Sequence, residues 1–132
     1  MSGEINLNAL LKTLKAKLVG GTYVFVTIDP EDEPSGLNPR MRFNEAEGLT
    51  LIVEKSEAEA HSLPYEFPSR MITLDVHSSL EAVGFMAVIA TELAKENMGV
   101  NPVSGFYHDH IFVPEGREED ALKVLERIAR EA

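Results

Sequence analysis

The sequence predicts an α+β protein made of two modules in tandem, residues 1–68 and 69–132, with antiparallel sheets and helices packed on one face. Three observations carry this. From residue 70 onward the apolar pattern runs strand, helix, strand, strand, helix. The first half carries a one-sided helical stretch, a dense β-branched run and a hairpin pattern. Between the halves Pro64 and Pro68 enforce an extended connector, which is the natural module boundary.

Leu7, Leu10, Leu11, Leu14 and Leu18 recur at helical spacing, so residues 1–17 are expected to form an amphipathic helix. Asn6 offers an N-cap, and Gly20 with Gly21 offers a stop. Residues 23–28, Tyr-Val-Phe-Val-Thr-Ile, favour a buried strand. Three prolines and four acids make residues 29–39 a loop. Residues 41–44 and 49–53 read as strands joined through Glu45, Ala46, Glu47 and Gly48, with the glycine supplying a permissive backbone. Ser56 begins a short helix that runs to Ala60.

In the second half residues 71–76 form a strand, and Ser78 and Ser79 precede a helix expected over 80–97 and ended by Gly99. Val83, Ala87, Ala90 and Ala94 share one face of that helix while Phe85 and Ile89 share another, so one sheet cannot cover all of its apolar surface. Residues 100–106 and 110–113 read as a hairpin turning at Tyr107, His108 and Asp109. In the last helix Ala121, Leu122, Val124, Leu125 and Ile128 face inward. Glu118, Glu119 and Asp120 suit the positive end of its dipole, and Arg127 and Arg130 the negative end.

Bulk properties narrow the function. The chain of 132 residues, 44% apolar, can bury one core or two small α/β modules without covalent staples. It contains no cysteine, so disulfides, thiolate metal sites and cysteine nucleophiles are excluded and a reducing, cytoplasmic setting is expected. A net charge of −10 repels phosphate backbones and anionic lipid, so neither nucleic acid nor membrane is an expected partner. The longest apolar stretch, 82–94, is interrupted by Thr91 and Glu92 and is shorter than the ~20 residues a membrane span needs. Gly20 and Gly21 precede a strand and cannot cradle a nucleotide, and no triad or glycosidase carboxylate pair is visible. The expectation is a non-enzyme without a cofactor.

Three segments together carry a family resemblance: Val83-Gly84-Phe85-Met86-Ala87, Leu93-Ala94, and the hairpin from Ser104 to Val113. They resemble the ACT domain, in the subtype of the animal cytosolic arginine sensors. The stretch from Arg42 to Val53 is similar to that family's first-module hairpin, and Tyr23-Val24-Phe25 to its opening strand. The chain as a whole is similar to short bacterial two-module ACT proteins whose role is undefined. The resemblance implies ferredoxin-like βαββαβ units that bind small ligands, usually amino acids, where modules meet. It also implies self-association, because the arginine sensors carry four modules and two copies of this chain would match them. The departure is in the first module, where the acidic proline loop stands in place of a long helix.

The expected ligand-binding residues are His77, Ser78, Ser79, Val83, Gly84, Phe106, His108 and Asp109. The turn from His77 to Ser79 leads into a helix N-terminus, whose free N–H groups suit an α-carboxylate, although a serine there serves equally as an ordinary cap. A glycine inside a helix costs ~1 kcal/mol, so Gly84 points either to a close approach by a ligand or to tight packing. Asp109 matches an acid of the sensors' hairpin that holds a cationic group, and it is also an ordinary turn residue. Phe106 would pack on a ligand's stem. His77, His108 and His110 with Asp109 invite a metal reading, but a turn breaks the alternation and no fourth ligand is evident, so module-interface hydrogen bonding is preferred. The expected partners are an amino acid or similar zwitterion and a second copy of the chain. The competing reading is an interaction module that takes no metabolite.

Overall fold

The computed structural model describes residues 6–132. The chain divides into two compact units, one of residues up to Gly20 together with Arg70–Ala132, the other of Gly21–Ser69.

In the second of these, β2 (Tyr23–Ile28) pairs antiparallel with β4 (Gly48–Glu54), which pairs on its other edge with β3 (Met41–Glu45). The first residues of β5 (Glu66–Leu74) run along the free edge of β2. Strand alternation sends Val24 and Val26 to one face with Leu49, Leu51 and Val53, where α2 (Lys55–Ala60) closes them under Ala58. The opposite face carries Phe25, edge-on to Phe67 at 5.8 Å, and Tyr23, whose hydroxyl accepts a 3.1 Å bond from Arg40. The register on β5 shifts between Tyr23 and Phe25, and the buried Ser69 hydroxyl donates 2.9 Å to the Tyr23 carbonyl there. The acidic loop holds only a single 3-10 turn, Pro30–Asp32, capped by the Asp29 carboxylate. The short helix expected from Ser56 begins one residue earlier, at Lys55 with Glu54 in the N-cap position, because β4 runs straight into it.

The other unit lays three helices on one sheet face. Ile72 and Leu74 of β5 lie in one core with Ile111 and Val113 of β7 (Asp109–Pro114), the neighbouring strand, which pairs in turn with β6 (Asn101–Ser104). Over them pack Leu10 of α1 (Leu7–Thr13), Phe85, Ile89 and Leu93 of α3 (Phe85–Ala94), and Ala121, Val124, Leu125 and Ile128 of α4 (Glu118–Glu131). The spacings i, i+4, i+8 in α3 and i, i+3, i+4, i+7 in α4 produce these stripes, and full burial of each large side chain contributes roughly 1.5–3 kcal/mol.

The structure corrects two helix predictions. The first helix ends at Thr13, with Leu14 as its C-cap, and β1 (Ala16–Leu18) pairs with Leu74–Ile72, so pairing to the sheet wins the backbone groups from further helix. Asn6 caps α1 as expected, its side chain accepting from Ala9 N at 2.9 Å, while the first five positions of the predicted helix lie outside the described residues. The second helix starts at Phe85 instead of Leu80. Gly84 has φ 90°, which helical backbone does not allow, and residues 79–82 are occupied by a turn in which Ala82 N–H donates to Ser79 O at 3.0 Å. The buried face of α3 is that of Phe85 and Ile89; Ala87, Ala90 and Ala94 remain exposed and Val83 lies before the helix.

Glu118 ties the last helix to the sheet. Its carboxylate accepts from Gly116 N–H at 2.7 Å and from Arg70 at 3.0 Å, both charged side chains being largely shielded. Hydrogen bonding from its own backbone N–H, opposed by burial and reinforced by Gly116 N–H and Arg70, holds its carboxyl below the usual carboxylate range. A lowered pKa places the stabilisation above the unfolded-state value and removes it as pH falls through the folded one. Glu118→Gln should therefore lower stability by about 1–3 kcal/mol at neutral pH, with the difference from the parent shrinking below roughly pH 4. Urea unfolding across a pH series checks both parts.

Candidate functional site

The end of β5 and the start of β7 are neighbours, and the site forms where they meet. Beyond Leu74 the chain bends sharply, with Val76 N–H donating to Leu74 O at 2.8 Å and Ser78 N–H to Val76 O at 2.9 Å. These tight bonds turn Ser78 and Ser79 inward, where they are two of the three buried polar side chains among the described residues. The β6–β7 turn closes through Gly105 N–H to His108 O at 2.9 Å and sets Asp109 opposite Ser104.

Asp109 is the junction. Ser104 donates to one carboxylate oxygen at 2.6 Å and Ser78 to the other at 3.4 Å, so the bend and the hairpin are joined through a single carboxylate. Ser79 meanwhile accepts from Glu81 N–H at 3.1 Å, a local turn bond rather than a helix cap. Around this junction opens a cleft of about 220 Å³, lined by Ser78, Ser79, Gly84, Ala87, Ser104 and Asp109, with Met86 and Leu80 among its apolar walls. Its far side is the start of α3. The N-cap there is Gly84, which has no side chain to bond the first N–H groups of the helix.

Of the expected residues, the structure brings Ser78, Ser79, Gly84 and Asp109 together. His77, Val83, Phe106 and His108 do not line the cleft. Val83 and Phe106 are exposed, Phe106 resting on Tyr107 at 5.1 Å instead of on a ligand stem. Tyr107 leans on the His77 ring at 5.5 Å, and His77 Nε2 is buried without a hydrogen-bond partner among the described residues. His108 Nδ1 lies 3.3 Å from Val76 O, and His110 Nδ1 3.0 Å from the Thr73 hydroxyl. The helix start expected directly after His77 lies instead at Gly84 and Phe85, because the turn at 79–82 intervenes. Sequence reading missed Ser104. Its signal was its place across the hairpin from Asp109, five residues away over a glycine turn.

A larger groove of about 580 Å³ runs beside α4, but its polar groups, Lys15, Glu119, Lys123 and Glu126, are exposed charges that converge on nothing. The Asp109 cleft is smaller and is walled by buried hydroxyls, the feature that fixes a ligand's orientation.

Comparison with known proteins agrees with the architecture. ACT-domain models match residues 2–70 and again residues 66–127. The chain belongs to the ACT-domain family. It carries two ACT modules in tandem, and both matching models describe regulatory modules rather than a catalytic family. No curated protein matches it. Among solved structures, a Vibrio cholerae protein of unknown function, described as a possible transport protein, is 40% identical over 93% of this chain and 95% of its own, with a TM-score of 0.84. An Agrobacterium tumefaciens protein is similar at 16% identity and a TM-score of 0.75, over 88% of this chain and 89% of its own. The regulatory subunit of aspartate kinase from Thermus thermophilus shares the fold at 12% identity and a TM-score of 0.66, over 89% and 97%. No helix of the described residues is long and apolar enough to cross a membrane.

Two substitutions test the geometry of this ACT module. Gly84→Ala should destabilise by about 1–3 kcal/mol, since an alanine resists φ 90° even though only Leu7 stands at 3.4 Å from the added carbon. Ser104→Ala, at an exposed position, should cost under about 1.5 kcal/mol. Urea denaturation of both variants checks the order.

Proposed function

We propose that this ACT protein is a regulatory or sensor module that binds an amino acid or similar small zwitterion in the Asp109 cleft. The observation that carries the proposal is that one cleft presents opposite charge preferences on its two sides. On one side the uncapped start of α3 offers free N–H groups and the positive end of a helix dipole, which suit a carboxylate. On the other, Asp109 accepts two hydroxyl donors among the described residues and retains lone pairs for an ammonium group. At about 220 Å³ the space lies below the roughly 300–1,000 Å³ of drug-sized pockets, so a small molecule fits it best.

The same module acts as a homodimer in this reading. Exposed Leu80, Val83, Phe106 and Tyr107 occupy the two segments that border the cleft, and Ala87, Ala90 and Ala94 line the exposed face of α3. Apolar surface of this extent beside a concave site is what a partner copy covers. A ligand held there regulates by stabilising one arrangement of the copies over another. The exposed patch also favours the competing reading, an interaction module with no metabolite, so the two need separate tests.

A thermal-shift panel of the standard amino acids decides between them. A true ligand at 100 times its dissociation constant adds ~2.7 kcal/mol of stability. Asp109→Asn should abolish that shift, because the charge that holds the ammonium group is gone. A flat panel would leave the interaction module as the reading. Val83→Glu should convert dimer to monomer in sedimentation without loss of fold, since Val83 is 83% exposed.

A further inference from the structure

Beside the cleft a second set of groups joins the same two walls, and it contains an imidazole. His108 sits in the hairpin turn immediately before Asp109. Its Nδ1 lies 3.3 Å from the Val76 carbonyl, and its Nε2 lies 3.8 Å from the Asp75 carboxylate. Asp75 and Val76 belong to the bend that delivers Ser78 to Asp109. Two stitches therefore connect bend and hairpin side by side, Ser78 to Asp109 and Asp75–Val76 to His108.

The two stitches differ in how they respond to protons. A neutral imidazole that donates from Nδ1 to Val76 O presents a bare lone pair on Nε2, and that lone pair faces a carboxylate. Protonation puts a donor and a positive charge on Nε2, so the 3.8 Å approach to Asp75 becomes an ion pair while the Val76 bond is kept. The carboxylate partner stays charged throughout. A hydrogen bond from Lys17 at 2.9 Å, opposed by partial burial and helped by the charges of Lys17, His108 and Lys15, holds Asp75 below the usual carboxylate range.

The other groups around His108 do not cancel this. His110, on β7, lies 6.4 Å away between ring centroids and is itself bonded to Thr73 of β5. Asp109, adjacent in sequence, adds negative charge. Lys17, on β1, and Lys15 before it act against an imidazolium, but Lys17 is bonded to the other oxygen of Asp75. His77 is turned toward Tyr107.

We propose that His108 is a proton-operated clasp on the Asp109 cleft: when protonated it bridges Asp75 and Val76, holds the hairpin against the bend, and tightens ligand binding. This deepens the proposed ligand-binding function and rests on it. The consequence is a sensor whose response to its ligand strengthens when His108 carries its second proton.

The experiment repeats the amino-acid panel at roughly pH 8 and pH 6 on the full chain and on His108→Gln, Asp75→Asn and Lys17→Ala. For whichever amino acid shifts the parent most, affinity should rise about fivefold at the lower pH. That gain should vanish in His108→Gln and Asp75→Asn and persist in Lys17→Ala, which leaves the His108 contacts in place. A parent affinity that is flat with pH, or a gain that survives in His108→Gln, overturns the clasp.

A second readout stands apart from any ligand. The Gly105 amide, bonded to His108 O, reports whether the hairpin is held, through its hydrogen-exchange protection after correction for intrinsic rate. Protection that increases at the lower pH in the parent but not in His108→Gln supports the clasp even if no amino acid binds, in which case it is the ligand reading that fails. Equal protection in the two proteins overturns the clasp.

Discussion

In the unit that carries the cleft, everything follows from the placement of β5 beside β7 under three helices. Ile72 and Leu74 on one strand and Ile111 and Val113 on the other must face the same way to be covered by Phe85, Ile89, Leu93 and the apolar stripe of α4. Once those four residues share a face, alternation puts Thr73 and His110 on the opposite face, where they bond to each other. The end of β5 then reaches the beginning of β7, and the bend carrying Ser78 meets the turn carrying Asp109. The core thus sets the site without contributing a polar atom to it.

The chemistry of the cleft depends on how little is spent on holding it together. Asp109 joins the two walls through the hydroxyls of Ser78 and Ser104, neither of which neutralises its charge. Gly84 opens α3 with a backbone angle that excludes a capping side chain, so the N–H groups of the first turn are left to other partners. Local features that would be defects in an idealised helix and hairpin are, under the proposed function, the recognition elements.

Much of this was legible in residue order. The strand, helix, strand, strand, helix succession after residue 70 needed only periodicity, and the stripe of Ala121, Val124, Leu125 and Ile128 appears in the core as its spacing requires. The hairpin of β3 and β4 was visible from two strand-like runs, 41–44 and 49–53, on either side of the Glu45–Gly48 turn. The start of α3 was not legible. A serine pair before an apolar run looks like a helix cap, and only the positive φ of Gly84, which depends on the turn packed before it, shows that the helix begins later. Leu14 and Leu18 misled in the same way, since their helical spacing coincides with a buried position and a strand, and only the pairing with residues 72–74 decides which structure holds.

By itself, then, the amino-acid order determined which residues are apolar, with what period, and where the chain can turn, because those properties reside in single side chains and their neighbours. It also determined the family, through motifs whose order spans nearly the entire chain. Which polar residues meet was left to the tertiary structure. Ser78 and Asp109 are separated by thirty-one positions and are brought within 3.4 Å only when two strands pack under the same helices. Val83 and His108, by contrast, lie next to cleft residues in sequence, and Phe106 two positions from one, yet they point elsewhere, because a side chain's direction depends on the backbone angles of its turn and not on its nearness along the chain.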